Sequence, residues 1–384
     1  MNSKRIKRIV LLVRCIVRAL VHGATNRAPS NISKIIVVPT GKLGDVVCAT
    51  PVFAAIRKQM PKVHIIVAGN SKMHHSLLSD SGLVDEYLDF EEERVLECIK
   101  SCHADVAMVT GPSYEPAALL YLAGVPLVVA ARVVGGISPS ETRPYKILKH
   151  FIKTFPYRLG AYAPRERLRA LESIGIFSDD TTKHLGFSEE AEKKARELIS
   201  KISGSYKYLI GMSAGAGNKE KQWDPKNFAT VANYLIKGRD AHIMIFGGKN
   251  EIPESSTFMS AIDDQSKITN TTCISTEDLK ARISKLDVFI SVNTGPIYIA
   301  EAFDVSTVDL IGPVSPWDQP PQGKIHKMVF APGNPKPLLY VLDTRNHDVK
   351  EAQRIAQSTR LEDVIAAVEE ALQEVDKRRL VKKG

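Results

Sequence analysis

Residues 35–60 read IIVVPTGKLGDVVCATPVFAAIRKQM. A short, β-branched apolar run over Ile35–Pro39 gives way to a turn holding Gly41 and Gly44, then to a helix-length stretch near 45–60. The run has the length and bounding turn residues of a buried strand. Strand, glycine turn and helix form the opening unit of a parallel α/β sheet.

The alternation continues on both sides of the chain's middle. Strands are predicted at His64–Ala68, Val106–Thr110 and Leu127–Ala131, with helices near 71–80, 92–102 and 115–123. Residues 133–205 change character: Gly135-Gly136, several prolines and basic helices, with no clear strand. A second set follows at Tyr208–Met212, His242–Phe246, Val288–Val292 and Thr307–Ile311, with helices near 225–237, 277–285 and 296–303. The tail reads as one long helical stretch from about 350 to 378. A length of 384 residues suits two such halves. The expected organisation is α/β: residues 1–30 a basic amphipathic helix, 31–185 a Rossmann-like domain with a helical connector, 186–345 a second Rossmann-like domain, and 346–384 a C-terminal helix with a basic tail. Two such sheets facing each other would place ligands in the cleft outside the carboxyl ends of their strands.

The net charge of +9 belongs to the two ends. Residues 1–30 hold Lys4, Arg5, Lys7, Arg8, Arg14, Arg18 and Arg27 with no acid; Lys377, Arg378, Arg379, Lys382 and Lys383 crowd the last eight positions. The remaining body carries 40 basic and 43 acidic groups. A body that grips nucleic acid is excluded as the simple reading. The segment Ile6–Val21, IKRIVLLVRCIVRALV, is interrupted by Arg14 and Arg18, so it is too short of uncharged residues to span a bilayer. On a helical wheel Lys4, Lys7, Arg14, Arg18 and His22 fall on one side and Ile6, Ile9, Val13, Ile16, Val17 and Leu20 on the other; Leu11 and Arg5 do not fit. Such a helix lies in an anionic membrane surface or packs on the protein's own body. The odd, irregular set of five cysteines is no disulfide framework. Cys98-x-x-x-Cys102-His103 reads as two small buried thiols, and no metal-ligand spacing is found.

Three loops at carboxyl ends of predicted strands can carry chemistry. Pro39–Asp45 offers two glycines, Lys42 and a carboxylate; Asp45 is an N-cap or a chemical group. It is neither a Walker loop nor a dinucleotide fingerprint. Met212–Pro225 offers small residues, lysines and a helix start, which suits a diphosphate or is a flexible loop. Ser291–Ala300 runs strand, tight turn, helix, where Asn293 and Thr294 either bind a ligand or cap.

The ordered set of Leu-Gly-Asp-x-x-x-x-Thr-Pro at Leu43–Pro51, Lys-x-Trp at Lys221–Trp223, Phe246-Gly247-Gly248-x-x-Glu251 and Asn-Thr-Gly-Pro at 293–296 resembles glycosyltransferase family 9, the ADP-heptose:lipopolysaccharide heptosyltransferases. The resemblance covers roughly residues 33–325. It implies a GT-B fold and metal-independent, inverting transfer of a heptose-like sugar. The donor it implies is a nucleotide-diphosphate sugar, ADP-linked, and the acceptor it implies is a lipopolysaccharide-core or related lipid-linked saccharide. No cofactor is implied. The setting would be cytoplasmic, peripheral on the inner face of the inner membrane. Asp45 is then the expected general base and Lys221 the partner of the leaving diphosphate. Lys42, Gly44, Ser213, Gly215, Gly217, Glu251, Asn293, Thr294, Gly295 and Tyr298 are the expected donor-binding set, with Glu251 near the ribose. The family's Asp-Thr-Gly-x-x-His pattern falls on Asn293, Thr294, Gly295 and Tyr298. Asparagine lacks the charge and tyrosine cannot serve as a base near neutrality. An inactive member that binds a sugar nucleotide or saccharide is therefore the alternative, and a GT-B epimerase or hydrolase a third reading.

Overall fold

The computed structural model describes residues 3–24, 28–90, 94–202, 206–342 and 347–381. Of the basic ends, Arg27, Lys382, Lys383 and the side chain of Lys4 lie outside the described residues, as does the boundary expected between 345 and 346. The chain divides into two compact units, 1–184 with 341–345, and 185–340 with 346–384.

The first unit holds β1 (Lys34–Val38), β2 (His64–Gly69), β3 (Glu86–Asp89), β4 (Val106–Val109), β5 (Leu127–Val134) and β6 (Lys153–Arg158). They form one sheet in the order β3-β2-β1-β4-β5-β6. The second unit holds β7 (Tyr208–Ser213), β8 (Ala241–Ile245), β9 (Ile268–Asn270), β10 (Val288–Val292), β11 (Ser306–Leu310) and β12 (His326–Val329), ordered β12-β11-β10-β7-β8-β9. Every pairing is parallel, as at Ile36↔Ile66 and Ile290↔Met212. Both sheets thus have the Rossmann order, and each reverses its winding between its first and fourth strands. The central strands are buried along almost their whole length, as a sheet covered on both faces requires.

The sequence reading missed β3, β6, β9 and β12. All four are the outermost strands of their sheets. An edge strand buries less and pairs on one side, so its composition is mixed; β6 even carries Pro156, which only an edge tolerates. The helix expected near 45–60 is two, Leu43–Val47 and Thr50–Gln59, because Pro51 cannot continue the first. The tail is also two helices, Val349–Gln357 and Leu361–Val381, broken at Ser358–Arg360. The second buries Val364, Val368, Ala371, Leu372 and Val375 in the core of the second unit.

The N-terminal helix Ser3–His22 splits its surface in an unexpected way. Leu11, Leu12, Cys15 and Ala19 pack on the core beside the helix Tyr114–Ala123. Tyr114 and Tyr121 donate to the carbonyls of Arg8 and Gly23, and Arg18 stacks 5.4 Å over the Tyr121 ring. Leu11 misfits the wheel because it serves this narrow stripe. Arg18, expected on the polar face, belongs to the stripe too. The apolar residues Ile6, Ile9, Val13, Ile16, Val17 and Leu20 remain exposed, Val17 by 54% and Leu20 by 83%. No described helix is long and apolar enough to cross a membrane.

Candidate active site

In the first unit, Lys42, Gly44 and Asp45 follow β1 on its carboxyl side. Asp45 sits in the first turn of helix Leu43–Val47, and its Oδ2 accepts from the Lys42 N–H at 2.9 Å. Gly41 has φ +112°, and an added Cβ would collide with this carboxylate. The Thr40 N–H donates to Thr110 Oγ1 at 3.1 Å, tying the loops after β1 and β4 together at the switch point. Oδ1 of Asp45 accepts from Arg167 Nη2 at 3.1 Å. Arg167 comes from helix Ala163–Leu168, within the stretch read as a basic connector, and is buried. Burial opposes its charge, but Tyr157 and Asp45 beside it hold the guanidinium above its ordinary range. No motif marks Arg167; of the alternating Arg165, Arg167 and Arg169, only packing selects one. Asp45 thus caps its helix with one oxygen and is oriented by a fixed cation at the other, while its side chain stays partly open to solvent.

In the second unit, Ser213 ends β7 and the loop through Gly217 follows. Gly215 presses on Glu251: an added Cβ would lie 2.6 Å from the Glu251 Cβ. Glu251 in turn accepts from the Gly248 N–H at 2.8 Å. The Lys221 ammonium reaches the Asn293 carbonyl at 3.3 Å. Trp223, two residues on, is fully buried, stands edge-on to Phe228 and donates to the Thr359 carbonyl at 3.0 Å. In Lys-x-Trp the tryptophan is the buried anchor, and the lysine side chain is the one that reaches the β10 turn. Thr294 starts the helix Gly295–Ala302 and, among the described residues, makes no side-chain cap hydrogen bond, so the positive helix end is not occupied by its own cap. The second unit therefore brings Gly215 against Glu251 and joins Lys221 and Tyr298 to Asn293 at the end of β10, beside Thr294 and Gly295; Ser213 ends β7, paired with Ser291 of β10, and Gly217 lies in the loop that follows. Among the described residues no group of three His, Cys, Asp or Glu side chains could hold a metal ion.

The family model for glycosyltransferase family 9 (heptosyltransferase) matches residues 98–344. The chain belongs to this family. A lipooligosaccharide heptosyltransferase 2 of Campylobacter jejuni is 30% identical over 131 residues, 31% of this chain and 40% of that protein. The aligned part thus spans about 40% of the length of the curated relatives matched. The solved structure of a family 9 glycosyl transferase from Veillonella parvula superposes with a TM-score of 0.72 at 19% identity, covering 91% of this chain and 99% of that one. The E. coli ADP-heptose lps heptosyltransferase II gives 0.67 at 18%, covering 89% and 99%. An E. coli heptosyltransferase with ADP-2-deoxy-2-fluoro heptose gives 0.59 at 14%, covering 84% and 98%. This likeness is one of fold, and the two six-stranded parallel sheets with flanking helices are the GT-B pattern.

The two positions where this family 9 chain departs from the Asp-Thr-Gly-x-x-His pattern are both buried and bonded to each other. Tyr298 donates to Asn293 Oδ1 at 3.0 Å. Asn293 Nδ2 donates to Asp309 Oδ2 at 2.8 Å. Asp309 lies on β11, next to β10, and sequence reading passed over it as part of an apolar strand. Burial pushes its carboxyl up to about 7, against the pull of Asn293 and Lys221 and with a push from Glu301.

Proposed function

We propose that this protein moves a heptose-like sugar from a nucleotide diphosphate, ADP-linked, to a hydroxyl of a lipopolysaccharide-core or related lipid-linked saccharide, without a metal and with inversion. The observation that carries the reading is the Lys221 ammonium on the Asn293 carbonyl, beside the helix start at Gly295 and the Ser213–Gly217 loop. A cation, backbone N–H groups and a positive helix end then meet at one switch point, where a diphosphate is stabilised as it leaves. Family membership and the named substrates of the E. coli relatives support the same donor class.

In the reaction the acceptor oxygen forms a bond to the anomeric carbon while the bond to the diphosphate breaks. The diphosphate departs with the electron pair, and Lys221 and the loop amides take up the growing charge. The acceptor's proton passes to Asp45, whose carboxylate Arg167 and the Lys42 N–H hold in place. Glu251, packed on Gly215, is assigned to the ribose.

The exposed apolar face of the N-terminal helix, flanked by Arg5, Lys7 and Arg14, is assigned to an anionic membrane surface, on the cytoplasmic side where a lipid-linked acceptor is presented. The helix is held to its own unit by the opposite stripe, so docking needs no unfolding.

The reading is tested with a thermal-shift panel of ADP-heptose, other ADP-sugars, GDP-sugars and UDP-sugars, followed by acceptor-dependent transfer in EDTA. A concentration-dependent shift with transfer supports it. The alternative, a binding protein without catalysis, is favoured by Asn293 and Tyr298; it predicts the shift with no product. Donor hydrolysis or isomerisation without acceptor would support the epimerase or hydrolase reading instead.

A further inference from the structure

Asn293 is held from two sides by opposite charges. Its carbonyl receives the Lys221 ammonium at 3.3 Å, and its side-chain amide donates to Asp309 at 2.8 Å. The Lys221 contact is to the backbone carbonyl; the side-chain amide is oriented separately, because Tyr298 donates to its Oδ1 and a flip would turn that oxygen toward the Asp309 carboxylate. Asp309 is 1% exposed, and among the described residues its Oδ1 has no hydrogen-bond partner. A carboxylate left half-satisfied in the middle of a sheet is expensive unless a charge compensates it. Its register neighbours, Ser291 on β10 and Met328 on β12, carry none. The charged groups that act on it are Lys221, which attracts, and Glu301 on helix Gly295–Ala302, which repels.

We propose that Asp309 is the buried counter-charge of Lys221, and that a nucleotide diphosphate taking over the ammonium is bound together with a proton, which Asp309 takes from solvent. The inference rests on the donor site proposed above. With the diphosphate in place, the lysine's positive charge is shared with the phosphates. New negative charge also lies beside a carboxylate that has almost no water around it. Both changes favour the neutral acid, and a carboxyl already raised to about 7 needs little further push near neutral pH. Asp309 acts through Asn293 and Lys221 and is a positioning residue. It keeps the lysine on the β10 turn in the empty site and withdraws its charge in the filled one.

The test is isothermal calorimetry of the full chain with ADP-glucose, whose diphosphate is esterified at both ends and does not titrate near neutrality. Titrations at pH 7.5 in PIPES, HEPES and Tris separate proton uptake from intrinsic heat. The wild type is expected to show heat that varies with buffer ionisation enthalpy in the sense of uptake. Its affinity should weaken by ~3-fold or more from pH 6 to pH 8.5. Asp309→Asn keeps an acceptor for the Asn293 amide, and should bind with buffer-independent heat and a flatter pH profile. A structural role alone would weaken binding without changing the proton count. A wild type whose heat does not depend on buffer, or an Asp309→Asn variant with the same uptake, overturns the proposal. Should that variant not fold, difference infrared spectroscopy of the wild type decides: a new protonated-carboxyl band on adding ADP-glucose supports the proposal, and its absence rejects it. If no ADP-, GDP- or UDP-sugar gives any heat, the donor-site reading fails and takes this inference with it. Binding without proton uptake fails this inference alone.

Discussion

Arg167 donates across 3.1 Å to Asp45 from a side chain only 3% exposed, while the carboxylate keeps 25% of its surface open. The arginine is fixed by the core and the acid is presented by it. An arginine offers a rigid fork with five donors where lysine offers a mobile point charge. Arg167→Lys should therefore retain the charge but lose the aim. The expected result is a kcat reduced by about 10²-fold, with the KM for donor little changed. A matching rise in donor KM would instead assign Arg167 to binding.

Asp45 itself is the sharper case. Asp45→Asn preserves an oxygen for the Lys42 N–H but removes the proposed proton acceptor. Turnover should fall by about 10²–10⁴-fold while ADP-sugar affinity, measured by calorimetry, stays within about threefold of wild type. Residual full-rate transfer by the asparagine variant would remove Asp45 from the chemistry and leave it a helix cap.

The central strands and the three site loops were legible because both depend on local pattern: buried β-branched runs, and glycines where the backbone must turn tightly. Gly41 shows this well, since its positive φ and its closeness to Asp45 each demand glycine. The four edge strands were not legible, because half-exposed segments such as Glu86–Asp89 and Ile268–Asn270 carry no alternation to read. The break at Ser358–Arg360 was hidden for another reason. Its purpose is tertiary: it brings the Thr359 carbonyl to Trp223. Arg167 and Asp309 are distant in sequence from the residues they serve, by 122 and 16 positions, and no spacing rule could pair them.

Deleting the N-terminal helix would be a poor test of membrane docking, because Cys15, Leu11 and Leu12 cover the core beside helix Tyr114–Ala123. Val13→Glu combined with Val17→Glu changes only the exposed face. Full-length wild type should float with vesicles containing phosphatidylglycerol and be released by high salt, and the double variant should not float. Its thermal midpoint should remain within a few degrees of wild type. Equal flotation of both proteins would dismiss the helix as the anchor.

Glycine at 215 is explained by crowding rather than by φ. Gly215→Ala puts a methyl group 2.6 Å from the Cβ of Glu251, which ends the short helix Lys249–Glu251. The loop from Ser213 to Gly217 has to shift by a few tenths of an ångström or more, and the amides assigned above to the diphosphate shift with it. Donor affinity should drop by about 10-fold or more, with a stability loss of about 1–3 kcal/mol from overpacking. Gly217→Ala meets nothing within 4 Å of its added Cβ and should leave stability unchanged. If both variants bind ADP-sugars as the wild type does, the loop is not part of the donor site.

Asp309 also sets a pH dependence of stability that does not require any ligand. Its folded carboxyl is raised from 3.8 to about 7. The folded protein therefore holds this proton through a range where the unfolded chain has released it. The resulting stabilisation is complete below about pH 4 and is lost as pH rises through about 7. His74 and His242 run the other way. Burial lowers both to about 4 from 6.5, so their contribution is present above pH 6.5 and lost as pH falls toward 4. The wild-type curve mixes these terms, but the difference between wild type and Asp309→Asn cancels the histidines. In that difference the variant should gain about 2–4 kcal/mol relative to wild type between pH 5 and pH 8. Urea unfolding at four pH values would measure it. A difference that is flat across the range would mean that the Asp309 carboxyl is already ionised at pH 5, with Lys221 fully compensating its charge.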